Sequence, residues 1–302
     1  MSSKVKAWIS AARPRTLPLS ISGILTGSAL AVLSNEFDYL LLILALLTTL
    51  SFQILSNFAN DYGDGVKGTD NDSRLGPQRA IQSGTITDKS LKKGIVINAV
   101  ISLILAFLLI SYAFQFKNII ATGFFFLLAI LSIVAAIKYT VGNNAYGYSG
   151  LGDVFVFIFF GGVSVIGVYY LYKHQFLFDQ LLPASAIGFL SVAVLNLNNM
   201  RDSASDLVSN KITLAIKLGR LGSKVYHISL ILLSLALWII YFLRHHLEPV
   251  LYISFIAYLP LFIHIIKVIK NEKPQDYDPE LKKVALSCFG FSLLLFVISF
   301  WA

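Results

Sequence analysis

Apolar runs of about 18 to 22 residues recur along the chain, the length a helix needs to cross a bilayer core of about 30 Å. Nine can be counted, centred near residues 26, 48, 103, 127, 162, 190, 234, 260 and 293. The pattern predicts an all-α polytopic membrane protein of nine transmembrane helices, with residues 1–302 forming a single integral membrane domain. Composition agrees: 56% of the residues are hydrophobic and 13% charged, with a mean hydropathy of +0.74. A soluble domain of this length and composition would expose large apolar patches. The start, "MSSKVKAWIS", imitates a signal peptide by placing basic residues before an apolar run. The basic region is long and eight further spans follow, so the first run is expected to stay as a span. Cys288 is the single cysteine, so no internal disulfide forms.

Charge then orients the bundle. With the N-terminus cytoplasmic and the C-terminus outside, 21 of the 24 lysines and arginines fall in cytoplasmic segments, leaving Lys117, Lys173 and Arg244. Such asymmetry is a positive-inside signature, and it accounts for the formal charge of +8 without a nucleic-acid partner. The outer loops are short. Two inner connections, from about Asp61 to Lys93 and from about Arg201 to Lys224, are long and rich in Gly, Asp, Asn and basic residues. Large loops in a tight bundle are more often functional than decorative, so chemistry is expected at the cytoplasmic face of a cell or inner membrane. The eighth-to-ninth connection, "NEKPQDYDPELKK", reads as a solvated loop.

Within the two long connections the polar residues fall into stripes. Asn57, Asn60, Asp61 and Asp64 share one helical face, as do Asn199, Asp202 and Asp206, with Asn198 alongside. Asp and Asn also make turns, and one such cluster could be a helix-end cap. Two on the same side, in corresponding halves of the bundle, call for more. Carboxylates near a membrane need partners. Several facing one another need a cation, and hard oxygen ligands suit Mg²⁺, which prefers to share its shell with phosphate oxygens. Arg74, Arg79, Lys138 and Lys211 stand ready for the remaining phosphate charge.

The segments "NDYGD", "GTD", "GPQRAIQSG", "NNMRDSASD" and "NKITLAIKLG" resemble the two signature loops of the UbiA family of intramembrane prenyltransferases. "ARPRTLPLS" and "GYSGLGDVFVFIFFGG" extend the resemblance over essentially the whole chain. It is nearest the branch that serves menaquinone synthesis. Gly68 stands where the wider family often has a third Asp, with acids at Asp70 and Asp72, and Asn210 replaces an expected Gly. Asn tolerates the left-handed backbone well, so the turn is expected to survive.

The resemblance implies nine helices around a central cavity. It also implies transfer of a polyprenyl group from polyprenyl diphosphate to 1,4-dihydroxy-2-naphthoate, with loss of carbon dioxide and diphosphate. An acceptor such as 4-hydroxybenzoate would use the same chemistry. Motif matching places one Mg²⁺ on Asn60, Asp61 and Asp64 and a second on Asp202 and Asp206. Arg79, Lys138, Lys211, Asn57 and Asn199 are then diphosphate contacts. Lys138 and Tyr139 stand near the reacting cation, or else serve as an interfacial lysine and a belt tyrosine. Expected partners are the two substrates and membrane lipid; the sequence carries no sign of oligomeric state.

Other residues read more plainly. Arg13 and Arg15 are positive-inside anchors, Asp153 is a helix-start residue, and the five histidines lack metal-site spacing. A CDP-alcohol phosphotransferase would follow "DYGDG" with its own acidic pair in the same segment, which is absent. An ion-coupled transporter would carry acids near mid-membrane on broken helices; here they lie at helix ends.

Overall fold

The computed structural model describes residues 3–69, 75, 79 and 81–302. Among them are ten helices and no strand: α1 (Ser3–Ala12), α2 (Leu17–Leu33), α3 (Tyr39–Val66), α4 (Asp88–Phe114), α5 (Ile119–Lys138), α6 (Gly152–Lys173), α7 (Phe178–Val208), α8 (Leu214–Arg244), α9 (Pro249–Lys270) and α10 (Pro274–Ile298). With α1 and α2 forming one span, the described residues contain nine helices long and apolar enough to cross a membrane. The polytopic, all-helical reading of the sequence therefore holds.

Helix starts are set by local capping. Asp38 accepts a hydrogen bond from the Leu41 amide at 2.8 Å, Asn118 from Ala121 at 3.0 Å and Thr87 from Ser90 at 3.3 Å. Each satisfies an N–H that the first helical turn leaves unpaired. The connections at residues 34–38, 115–118, 174–177 and 245–248 are tight and lie together on one face, here the far face. On the opposite face, the site face, α3 and α7 run past the bilayer. Their 28 and 31 residues correspond to about 42 and 46 Å, against a core of about 30 Å.

That overhang corrects the expected loops. The first motif is helical to Val66, and the second connection shrinks to residues 209–213, because α7 continues through Asp206 and α8 resumes at Leu214. A break at Gly219 (φ 67°, ψ 178°) then bends the start of α8. A polar stripe with spacing i, i+3, i+7 is built by a helix, and here the helix projects rather than unwinds.

α2 and α7 are the most buried spans. α6 packs against both through small residues, and its central stretch, Phe157–Gly167, is π-helical. A Cβ on Gly161 would lie 2.4 Å from the Ala184 carbonyl oxygen of α7, and one on Gly27 would lie 2.7 Å from that of Val165. Small residues at such crossings let backbones approach in lipid, where no hydrophobic force drives helices together. Buried hydroxyl pairs add ties, among them Ser28 with Tyr172 at 3.0 Å and Ser234 with Tyr258 at 2.7 Å.

Two sequence readings are corrected on the α8–α10 side. His227 and His264, given no role above, meet Nε2 to Nε2 at 2.7 Å, and His264 Nδ1 lies 2.6 Å from Glu280. Glu280 and Asp278 belong to the segment read as solvated, yet Glu280 is 5% exposed and also bonds Lys283 at 2.8 Å. Residues so far apart in sequence become a cluster only through packing.

The Gly161 contact is checked by comparing Gly161→Ala with Gly162→Ala, whose added Cβ would meet nothing within 4 Å. Gly161→Ala is expected to cost about 1–3 kcal/mol through overpacking, seen as a lower melting temperature in detergent. Gly162→Ala is expected to leave the melt unchanged.

Candidate active site

A cavity of about 400 Å³ opens where α3 and α7 end at the site face and is lined by α2 to α7, the elbow before α2, and Leu281 of α10. Its mouth is polar. Of the residues singled out from sequence, Asn57, Asn60, Asp64, Arg79, Tyr139, Asn199, Asp202, Asp206 and Lys211 all line it. Asp61 and Lys138 do not. Arg74, with Asp70 and Asp72, lies outside the described residues.

The first stripe splits in two. Asn60 and Asp64 face the cavity and the loop after α5, where Tyr148 Oη donates to Asp64 Oδ1 at 2.8 Å. Asn57 and Asp61, four residues apart, face the elbow between α1 and α2. The Asn57 amide donates to the Ala12 carbonyl at 2.9 Å and accepts from Gln53 at 3.2 Å. Asp61, 1% exposed, receives Arg13 and, at 3.0 Å, Arg79 on the same oxygen. Both arginines line the cavity. Asp61 thus sits behind them and aims them. Arg13, read above as an anchor, belongs to the site; its backbone is left-handed (φ 51°), and its Nε is buried without a partner. Arg15 is a surface residue, its side chain 60% exposed.

On α7, Arg201 is 3% exposed and grips both oxygens of Asp202, at 2.8 and 2.7 Å, while also reaching Asn198 at 2.8 Å and Asp278 of α10 at 2.6 Å. Asp206 accepts Lys211 at 3.3 Å through one oxygen; the other, Oδ2, is buried with no partner. Burial works against the Lys211 ammonium, but Asp64 and Asp206 outweigh it and hold its pKa above the usual lysine range.

The two motif helices end alike. At α3, the Thr69 amide donates to the Asp64 carbonyl at 2.9 Å and Gly68 to Gly65 at 3.2 Å. At α7, Lys211 donates to Asp206 at 2.9 Å and Asn210 to Leu207 at 3.1 Å. Both are Schellman closures, with Gly68 (φ 71°) and Asn210 (φ 55°) in the left-handed position. The Asn in place of Gly keeps the turn, as expected. Asn57, Asn60 and Asp64 therefore correspond to Asn199, Asp202 and Asp206 in backbone as well as in spacing.

The loop after α5 joins the two ends. Tyr148 holds Asp64 and lies 2.6 Å from the Thr69 hydroxyl; its carbonyl accepts from Ile212 at 3.1 Å, and Lys67 stands 3.9 Å over its ring. Burial, then the neighbouring Asp64, raises the Tyr148 pKa, so its hydroxyl stays a donor. In the sequence Tyr148 lies within "GYSGLGDVFVFIFFGG" with no local signal of these contacts. Tyr139 turns inward beside Gly147 and Gly152, whose missing side chains leave room for its ring, and burial pushes its pKa up to about 12. Lys138 is one residue along, on the exposed face of Leu131 and Val134, so it points away from the cavity. Asp153, at the start of α6, accepts from Tyr226 at 3.3 Å.

Among the described residues no three His, Cys, Asp or Glu side chains gather tightly enough to hold a metal on their own. The donor set nevertheless suits Mg²⁺ shared with a phosphorylated substrate. Asp64, Asp202, Asp206 and Asn60 put hard oxygens on the cavity wall, and Asp206 Oδ2 is unused. Among the described residues, Asp61, Asp64, Asp202 and Asp206 match Arg13, Arg79, Arg201 and Lys211 in number, so a multiply charged anion would meet little surplus positive charge there.

Replacing Arg201 by Ala would strand Asp202 in a buried setting, at an expected cost of about 3–5 kcal/mol. Asp278→Asn leaves the Asp202 pairing intact and is expected to cost about 1 kcal/mol or less, since that carboxylate is 40% exposed. Melting curves in detergent read both.

The UbiA prenyltransferase family model matches residues 20–301. A 1,4-dihydroxy-2-naphthoate octaprenyltransferase of Haemophilus influenzae is 41% identical over 293 residues, covering 96% of this chain and 94% of the relative. The protein of the same name from Escherichia coli is 45% identical over 233 residues, 77% and 75% of the two chains. That of Mycobacterium tuberculosis is 38% identical over 216 residues, 70% of each. A solved structure reported for digeranylgeranylglyceryl phosphate synthase shares the fold, with a TM-score of 0.61 over the whole of both chains at 19% identity. The chain belongs to the UbiA prenyltransferase family.

Proposed function

We propose that this chain transfers a polyprenyl group from a polyprenyl diphosphate to 1,4-dihydroxy-2-naphthoate, releasing carbon dioxide and diphosphate and giving demethylmenaquinone. The acceptor follows the relatives of that name. The observation that carries the reaction type is the cavity: a mouth of paired carboxylates and cations opening into an interior of Ile24, Ala45, Leu109 and Phe125. One end fits a diphosphate and the other an isoprenoid tail. The bias of basic residues toward one set of connections supports a mouth at the cytoplasmic face of the cell membrane, and residues 1–302 are read as one catalytic unit.

The difficult step is parting an allylic cation from diphosphate. Arg13 and Arg79, aimed by Asp61, take phosphate oxygens from one side and Lys211 from the other, stabilising charge as it moves onto the leaving group. Asp64 and Asn60 on α3, with Asp202 and Asp206 on α7, would hold Mg²⁺, which when bound neutralises that same charge. Asn57 keeps the Arg13 elbow in place, and Asn199 borders the phosphates. Tyr139, Tyr146 and Phe155 stand together just inside the mouth, with Tyr139 and Tyr146 at 5.3 Å and Tyr146 and Phe155 at 3.9 Å between centroids. Their π faces suit a delocalised cation. The apolar interior excludes water that would otherwise capture it.

The test is a product assay in detergent with a polyprenyl diphosphate and either 1,4-dihydroxy-2-naphthoate or 4-hydroxybenzoate, with Mg²⁺ or with EDTA. Mg²⁺-dependent prenylnaphthoquinone is the expected result. Prenylated hydroxybenzoate alone would overturn the acceptor, and no product from either would overturn the reaction. Asp64→Ala and Asp206→Ala are each expected to lower kcat by at least about 10²-fold while the protein stays folded; near-normal turnover in either would refute the two-sided site.

A further inference from the structure

The loop between α5 and α6 is fastened in different ways to the two motif helices. Toward α7 and α8 its backbone holds it. The Tyr148 carbonyl accepts from Ile212 at 3.1 Å, the Ser149 carbonyl accepts from Lys217 at 2.8 Å, and a Cβ on Gly150 (φ 80°) would lie 3.1 Å from the Ile212 carbonyl oxygen. Toward the end of α3, among the described residues, residues 146–150 form hydrogen bonds through one side chain. The Tyr148 hydroxyl gives its single proton to Asp64 Oδ1 at 2.8 Å, so in the 2.6 Å contact with Thr69 it accepts and the Thr69 hydroxyl donates. The result is a directed chain from Thr69 through Tyr148 to Asp64, with Thr69 and Asp64 both buried. The ring lies between the two helix ends. Lys67, in the turn that closes α3, stands 3.9 Å from its centroid, and Lys211, in the turn that closes α7, stands 5.8 Å from it. A hydrogen bond to an ionised carboxylate is among the strong ones, so this hydroxyl fixes both the Asp64 side chain and the spacing of the two ends.

We propose that Tyr148 is a positioning residue whose hydroxyl makes the two acidic helix ends act as one site for a Mg²⁺-bound diphosphate. The inference rests on the prenyl-transfer reading above. Ligating groups on separate helices hold one metal and phosphate unit well when their spacing is set beforehand; otherwise part of the binding free energy goes into ordering them. Here Ile212 carries the loop and the loop carries Asp64, so a shift at either end passes to the other through one hydroxyl. Tyr148 does not itself line the cavity, whereas Asp64 and Thr69 do. It therefore acts through Asp64 and not on the substrate.

The experiment compares the unaltered protein with Tyr148→Phe and Thr69→Val in detergent, by two readouts. One is the rise in melting temperature on adding Mg²⁺ with inorganic pyrophosphate, which needs no turnover. The other is steady-state transfer from a polyprenyl diphosphate to 1,4-dihydroxy-2-naphthoate, with donor and acceptor varied in turn. Tyr148→Phe keeps the ring, its contact with Lys67 and the loop backbone, so the melt without ligand is expected to stay unchanged. Losing a hydrogen bond to a charged group is expected to weaken pyrophosphate binding with Mg²⁺ about tenfold and to raise the donor KM by a similar factor, with the acceptor KM within about twofold. Thr69→Val removes only the donor behind Tyr148. It should give the same changes at smaller size, and it carries the test if Tyr148→Phe does not fold. Product from the unaltered protein, with the pyrophosphate shift and the donor KM unchanged in the variants, would overturn the proposal, whatever the ligand-free melts do. An equal rise in donor and acceptor KM would overturn it as well. Neither product nor a pyrophosphate shift in the unaltered protein would instead overturn the prenyl-transfer reading, and the proposal with it.

Discussion

Everything at the site face follows from one constraint: carboxylates at the ends of membrane helices must be compensated. Asp61, Asp202 and Asp206 are each no more than 4% exposed, and a buried charge without a partner costs several kcal/mol. The chain meets this with cations from both distant and neighbouring segments. The elbow before α2 supplies Arg13, α7 supplies Arg201, and the turn after α7 supplies Lys211. Each pairing also orients a group toward the cavity, so compensation and site construction are the same act. The arginines on Asp61 are held at the cavity wall, and Arg201, which grips Asp202, ties α7 to α10 through Asp278.

The second organising feature is the likeness of the two motif ends. Schellman closures at Gly68 and Asn210 put Asp64 and Asp206 in equivalent backbone settings, and Tyr148 spans the gap between them. The equivalence does not extend to the side chains. Asp61 leans toward the elbow and takes two arginines, whereas Asp202 is enclosed by one arginine from its own helix. A two-sided site that must hold an asymmetric substrate, charged at one end and apolar along the rest, has reason to differ in this way.

Away from the mouth, the bundle is shaped by small residues. Gly27, Gly161 and Gly188 bring α2, α6 and α7 into backbone contact, while α4 and α5 stand off and leave the cavity between. The π-helical stretch of α6 lies at this boundary, contributing Gly161 to the contact and Phe159, Phe160 and Val163 to the cavity. Irregular helical hydrogen bonding is often found at functional sites, and here it lets one helix serve both tasks.

The number of spans, their helical nature and the two polar stripes were legible in the sequence, because each depends on neighbours a few residues apart. An apolar run long enough to cross a bilayer has few alternatives, and residues at i, i+3 and i+7 share a face wherever the helix is placed. Asn210 was read correctly for the same reason, since its left-handed turn is a local property. What the stripes face was not legible. Asp61 turns to the elbow and Asp64 to the cavity, Tyr139 faces inward and Lys138 outward, and Arg13 is a site residue rather than an anchor. The apparent solvated loop delivers Asp278 and Glu280 to buried partners, and His227 meets His264 across two helices. Each of these is decided by which helix packs beside which, and with what rotation, so it is set by contacts between residues tens to hundreds of positions apart. Spacing along the chain fixes a face; only the packed bundle decides what that face meets.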